Sequence, residues 1–262
     1  MSLTITIIQS ALVWEDIDAN LELFTQKINS ITLKTEVIVL PEMFSTGFSM
    51  QPEKLAETMD GKAVRWMHKT AIEKRVIITG SLMISESGKQ YNRLIWMLPN
   101  GQFGYYNKRH LFGYANEDSH YTAGNKRLIA QVKGFKINLQ ICYDLRFPVW
   151  ARQQANDDDV AEYDVLLYVA NWPERRSLAW KTLLQARAIE NQCYVIGVNR
   201  VGNDGNNIYH SGDSMVVNAL GETLYHKAHD EDVFTITIDK EPLEKIRTSI
   251  PFLKDADGFK IL

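Results

Sequence analysis

Only two cysteines, Cys142 and Cys193, occur in this chain of 262 residues. That scarcity excludes a disulfide scaffold and fits a reducing compartment. Neither a C-x-x-C pair nor an H-E-x-x-H sequence is present, which argues against a zinc site. There is no Walker A sequence and no G-x-S-x-G elbow. No apolar run approaches the roughly 18 residues that a membrane span needs. A net charge of -3 gives no footprint for nucleic acid. The start, Met1-Ser2-Leu3-Thr4, lacks the basic region and small-residue cleavage site of a secretory signal. With 45% hydrophobic and 23% charged residues, the expectation is an ordinary globular, cytoplasmic protein.

No Pro/Gly/Ser-rich linker, repeat or low-complexity tract divides the chain, so residues 1–262 are expected to form one α/β domain. The β-branched run Leu3 to Gln9 reads as a buried strand. Ile17, Leu21, Phe24, Ile28 and Ile31 recur at helical spacing behind a cap at Asp16 or Asp18. A second strand, Val37 to Leu40, stops at Pro41-Glu42, giving a β-α-β unit with parallel pairing. A helix through Val64 and Met67 precedes a hairpin of Val76–Ile84 and Asn92–Leu98. The stretch from Tyr105 to Lys126 is rich in loop residues, and the acidic run Asn156–Asp159 reads as a solvated loop without function. Strand, helix and strand signals follow at Val165–Ala170, Ser177–Asn191 and Cys193–Asn199. Two last strands, Asp213–Asn218 and Val233–Ile238, are expected to be joined by the turn Ala219-Leu220-Gly221. Two sheets facing each other with helices outside accommodate this order.

The alternation Phe135, Ile137, Leu139, Ile141 marks a half-buried strand that ends at Cys142. A free cysteine is most often a small buried hydrophobe. A cysteine at a strand's carboxyl end is also placed where α/β sheets bind ligands. Reactivity would need help, because a free thiol has a pKa of about 8.5 and only the thiolate attacks. Two further strand ends offer it: Glu42 as a carboxylate base and Lys108, set among aromatics, as a cation. Taken singly, Glu42 and Lys108 are ordinary surface charges. Parallel neighbouring strands would bring all three to one rim. His110 offers an alternative base in a Cys–His dyad, although no acid is evident to orient it.

Three blocks carry a family pattern: P-E-M-F at 41–44, Y-N-K-R-H-L-F at 106–112 and I-C-Y-D-L-R-F-P at 141–148. In order, spacing and neighbours the chain resembles the nitrilase superfamily of carbon–nitrogen hydrolases, and within it the omega-amidase branch. The stretches at 115–124, 168–173 and 185–192 are similar to that branch as well. The resemblance implies a four-layer α-β-β-α sandwich that pairs into a homodimer or a higher homo-oligomer, with no metal or organic cofactor. It implies Cys142 as nucleophile, Glu42 as general base, Lys108 as oxyanion stabiliser and Glu117 as a second glutamate in the site. The Tyr143 backbone N–H would share the oxyanion. It further implies a small amide substrate: the terminal amide of a short 2-oxo dicarboxylic acid monoamide, such as 2-oxoglutaramate or 2-oxosuccinamate. The far carboxylate of such a molecule calls for a bidentate arginine. Arg176 is the preferred clamp, Arg175 its alternative, and Arg146 is expected to pair with Asp144. Phe44, Tyr106 and Trp172 are candidates for the pocket wall. The same resemblance leaves room for a carbamoyl-amidase, a nitrilase or a silent binding protein on this fold. The ending segment, Pro251 to Leu262, carries enough apolar residues to dock at a subunit interface.

Overall fold

Strand β1 (Ser2–Gln9) leads into helix α1 (Ile17–Asn29), whose N-cap Asp16 accepts the Ala19 N–H at 3.0 Å. The computed structural model describes residues 1–153 and 161–261, so the acidic run Asn156–Asp159 lies outside the described residues. Strand β2 (Val37–Val39) pairs parallel with β1, as the helical crossover requires. The short helix α2 (Pro52–Leu55) and helix α3 (Lys62–Lys74) precede β3 (Ile77–Glu86), which pairs parallel with β2. Strands β4 (Lys89–Met97) and β5 (Phe103–Asn107) then continue antiparallel. The stretch expected as loop from Tyr105 onward therefore begins inside a strand. Tyr105, Tyr106 and Asn107 pair with Ile95, Leu94 and Arg93, and that pairing outweighs the polar composition of the residues after them.

After the short helix α4 (Glu117–His120), β6 (Ile129–Val132) and β7 (Phe135–Ile141) form a hairpin of the second sheet. A short helix α5 (Pro148–Ala151) leads on to β8 (Val165–Ala170), α6 (Ser177–Asn191) and β9 (Tyr194–Asn199). Strands β7, β8 and β9 are parallel. Strands β10 (Val201–Asn203), β11 (Tyr209–Val217) and β12 (Thr223–Ala228) extend this sheet antiparallel. The turn at Ala219–Gly221 thus joins β11 to β12, not to the last strand. Strand β12 gives no clear sequence signal, because Thr223-Leu224-Tyr225-His226-Lys227-Ala228 lies half-exposed on an edge and shows no clean apolar alternation. Strand β13 (Asp232–Asp239) crosses to the first sheet and pairs antiparallel with the whole of β1, before helix α7 (Lys240–Ser249).

The result is two sheets, in the orders β13-β1-β2-β3-β4-β5 and β10-β11-β9-β8-β7-β6, with helices outside. The alternation of side chains along each strand builds the layers. In β2, Val37 and Val39 enter the core between the sheets, while Ile38 joins Phe24, Val64 and Met67 beneath α1 and α3. Each aliphatic side chain buried this way contributes roughly 1.5–3 kcal/mol. On the second sheet, α6 comes so close that a Cβ at Gly197 would stand 2.6 Å from Leu184 and 2.8 Å from Trp180. Among the described residues no helix is long and apolar enough to cross a membrane. This frame presents the carboxyl ends of β2, β5, β7 and β8 to one another.

Candidate active site

Four polar side chains stand at or just beyond those strand ends. Glu42 follows β2, Lys108 follows β5 directly, Cys142 follows β7 directly and Asn171 follows β8 directly. Glu42 and Lys108 belong to the first sheet and Cys142 to the second. The expectation of parallel neighbours is corrected accordingly, since the thiol faces the two charges across the sandwich.

Lys108 is the hub. Its Nζ donates to Glu42 Oε1 at 2.9 Å and to both Glu117 oxygens at 3.0 and 2.9 Å. All three side chains are sealed from solvent. Asn92 Nδ2 bridges Glu42 Oε1 at 2.8 Å and Glu117 Oε1 at 3.2 Å. The Asn171 N–H donates to Glu42 Oε2 at 2.7 Å, and its Nδ2 to the Glu42 carbonyl at 2.6 Å. The Phe112 N–H holds Glu117 Oε2 at 2.6 Å. Every carboxylate oxygen thus has a donor, which buried charge demands.

One ammonium against two carboxylates leaves an excess of negative charge, and the thiol feels it. Burial pushes the Cys142 thiol well above its ordinary value; Glu42 and Glu117 add to the rise and Lys108 opposes it. Burial works against the Lys108 ammonium, but Glu117 and Glu42 overcome it and hold the amine charged. Burial also raises Glu117, with Lys108 opposing and Glu42 reinforcing. A resting thiol beside a carboxylate that can take its proton supports attack coupled to proton transfer, in place of a standing thiolate.

Cys142 itself has φ +44°, a left-handed conformation uncommon for a residue with a Cβ, and opens a 3-10 turn over Cys142–Arg146. The N–H groups at the start of such a turn have no acceptor within it, and Tyr143 supplies one of them. Next to Cys142 lies a cavity of about 250 Å³. Trp172, Phe48 and Phe112 form apolar walls, and Arg146, Arg175 and Arg176 bring three guanidiniums to it. Asp204 is the one carboxylate among its described lining residues. Burial, then the neighbouring Arg175, lowers the Arg176 guanidinium from its ordinary value. His210, also in the wall, is pushed down to about 4 by burial and by Arg200, so it stands there neutral.

The structure brings together Glu42, Lys108, Glu117 and Cys142, and it sets Tyr143, Trp172 and Arg176 around the same cavity. Two other candidates for the wall lie elsewhere. Phe44 is in the core beneath α1 and α3, edge-on to Phe24 at 5.5 Å, because its ring fills the space that Gly80 leaves open. Tyr106 is fully buried and spends its hydroxyl on Asp144 at 2.7 Å. Arg146 does not pair with Asp144; its guanidinium lies 4.8 Å from the Trp172 ring, on the cavity side. His110 does have an orienting acid, Asp144, and turns towards it at 2.8 Å. Sequence reasoning misses Asn92 and Asn171. Asn92 lies among polar residues, between Tyr91 and Arg93, and so gives no signal of its own, whereas Asn171 is the first residue past a buried strand, a position that signals buried hydrogen bonding.

Residues 4–248 match the carbon–nitrogen hydrolase family. The chain is 43% identical to omega-amidase YafV of Escherichia coli K12, over 99% of this chain and 98% of that protein. It is 34% identical to the 2-oxoglutaramate amidase of Bacillus subtilis, over 84% of each. A CN-hydrolase superfamily protein from Xanthomonas campestris, crystallised with an arsenic adduct in its active site, superposes with a TM-score of 0.98 at 40% identity, over the full length of both chains.

Proposed function

The chain belongs to the carbon–nitrogen hydrolase family, in the nitrilase superfamily, and on that premise we propose that it is an omega-amidase. It hydrolyses the terminal amide of short 2-oxo dicarboxylic acid monoamides, 2-oxoglutaramate and 2-oxosuccinamate. The observation that carries this reading is the buried thiol–carboxylate–ammonium cluster beside a cavity with three guanidiniums. The cluster suits acyl transfer and the guanidiniums suit a substrate with a free carboxylate. The names of the E. coli and B. subtilis relatives support the same choice.

In this mechanism Glu42 takes the Cys142 proton as sulfur bonds to the amide carbon, and the carbonyl electron pair moves onto oxygen. Protonated Lys108 and the Tyr143 N–H stabilise that oxyanion. The oxyanion collapses, the C–N bond breaks, and Glu42 returns its proton to the departing nitrogen, releasing ammonia and leaving a thioester. Glu42, or Glu117 in its place, then takes a proton from water as the water oxygen attacks the thioester carbon. The C–S bond breaks and the proton returns to sulfur, so the balance is amide plus water to acid plus ammonia. Nothing in the sequence of steps needs a metal or an organic cofactor. Arg176 holds the far carboxylate, with Arg146 in the same cavity as a second cation and Trp172 as wall. We place all of this in one domain spanning residues 1–262, because β13 returns to close the sheet that β1 begins. A cytoplasmic homodimer or higher homo-oligomer completes the reading, with the ending segment from Pro251 at the subunit interface.

Ammonia release from a panel of short ω-amides, a nitrile and an N-carbamoyl amino acid tests it, with Cys142→Ala as control. Turnover of 2-oxoglutaramate, abolished in the control, is the expected result. Turnover confined to the nitrile or the carbamoyl compound would replace the omega-amidase by another member of the superfamily.

A further inference from the structure

The left-handed φ of Cys142 costs on the order of 1–3 kcal/mol for a residue with a side chain, and persists only where neighbours over-determine it. What holds it is Asp144, a carboxylate with no exposure to solvent. Its Oδ2 accepts the Ile141 N–H at 3.0 Å and the Tyr106 hydroxyl at 2.7 Å. Its Oδ1 accepts the His110 N–H at 3.0 Å and His110 Nδ1 at 2.8 Å. An ionised carboxylate offers about four acceptor positions, and here all are taken. Because that carboxylate only accepts, the imidazole must carry a proton on Nδ1.

The sequence positions of these donors are informative. Ile141 and Asp144 bracket Cys142 on the second sheet. Tyr106 and His110 bracket Lys108 symmetrically on the first, two residues to either side. One carboxylate therefore grips the chain around the thiol and around the ammonium at once. The grip is reinforced at both edges. Tyr106 accepts the Arg109 N–H and Trp150 Nε1, each at 3.0 Å. The His110 ring stacks on Phe147 at 3.8 Å, and Phe147 in turn meets Tyr143 at 5.0 Å. Neither Asp144 nor His110 is among the described residues lining the cavity.

We propose that Asp144 and His110 are positioning residues, which fix the separation between the Cys142 elbow and the Lys108 loop without touching substrate. The proposal rests on the roles assigned above to Cys142 and Lys108. A shift of about 1 Å between reacting groups costs on the order of 10² in rate. Asp144→Asn turns one acceptor oxygen into a donor that faces other donors.

The test measures kcat and KM for ammonia release in Asp144→Asn, His110→Leu and His110→Asn, the last keeping an N–H near the place of Nδ1. Asp144→Asn should lower kcat by roughly 10²-fold and His110→Leu by at least about tenfold, with KM within about threefold of wild type. His110→Asn should recover most of the loss. Rescue by asparagine separates positioning from simple packing, because leucine fills the ring's space equally well. The proposal is overturned if His110→Leu keeps kcat within about threefold, if asparagine does no better than leucine, or if KM rises in step with the loss. Should Asp144→Asn fail to fold, the two His110 variants decide, since that ring is partly exposed. Should the wild type release no ammonia from any ω-amide, the omega-amidase reading fails on its own. The pair is then judged by the rate at which iodoacetamide alkylates Cys142, expected to fall about tenfold in His110→Leu but not in His110→Asn, with equal rates counting against it.

Discussion

The two ends of the sandwich solve opposite charge problems. At the carboxyl ends, one buried ammonium, Lys108, faces two carboxylates, Glu42 and Glu117. At the amino ends, one buried carboxylate, Asp164, faces two cations, Lys240 at 3.1 Å and Arg247 at 3.0 Å. Arg247 also donates to the carbonyls of Tyr163 and Gln192, each at 2.8 Å. The second cluster ties the starts of β7, β8 and β9 to helix α7, through charges on a helix that also reaches water. The first holds its excess charge sealed away, where relief is scarce. A thiol set beside that excess stays protonated until a substrate draws the proton to Glu42. Charge imbalance is tolerable in a staple only where solvent helps; in a dry cluster it is stored for use.

Breaking the staple should give the largest effect. Asp164→Ala leaves Lys240 and Arg247 facing an empty place at the base of the sheet, and loss of one partner of a largely buried pair costs about 3–5 kcal/mol. Urea unfolding should show the loss, while the folded fraction keeps the wild-type kcat. A kcat that fell with stability would mean that the two ends are coupled and the comparison is false. Breaking the hub should do the reverse. Lys108→Met removes an oxyanion partner and should lower kcat by on the order of 10²–10³. Rapid thioester formation in that variant, seen by mass spectrometry at wild-type rate, would remove Lys108 from the acylation step.

The contrast also explains what is legible in the sequence. Glu42, Lys108 and Cys142 are legible together, through the three blocks that resemble the superfamily, whereas each alone reads as a surface charge or a buried thiol. The strands β1, β2, β8 and β9 are legible from their apolar runs, and α6 lies about where it is expected. Which sheet each strand enters is not legible, because local patterning carries no record of partner choice. That is why the sequence suggests β11 joined by a turn to β13, when β13 pairs with β1. Asp144 misleads for a related reason. Proximity in sequence points to Arg146, whereas Tyr106 and His110 reach it from about 35 residues away, a separation that only the fold closes. Phe44 and Tyr106 pass for wall residues because ring chemistry does not distinguish a lining residue from a core one.

The smallest effect should come from the cavity's own cations, and it refines the comparison. Arg176 lies on the same rim as Lys108, yet its guanidinium is only partly desolvated and is lowered by burial and by Arg175. Its charge is neither sealed nor matched by a carboxylate of the cluster, so it is available to an anion from outside. A substrate carboxylate would supply the missing counter-charge and relieve the repulsion among Arg146, Arg175 and Arg176. Arg176→Ala should therefore raise KM for 2-oxoglutaramate about tenfold, near 1.4 kcal/mol, and leave kcat within about twofold, because this contact is the same in ground and transition states. An uncharged short amide should lose nothing in the variant. Equal losses on charged and uncharged amides would show Arg176 to be part of the wall instead, and would move the carboxylate partner to Arg146, which lines the same cavity beside the Trp172 ring.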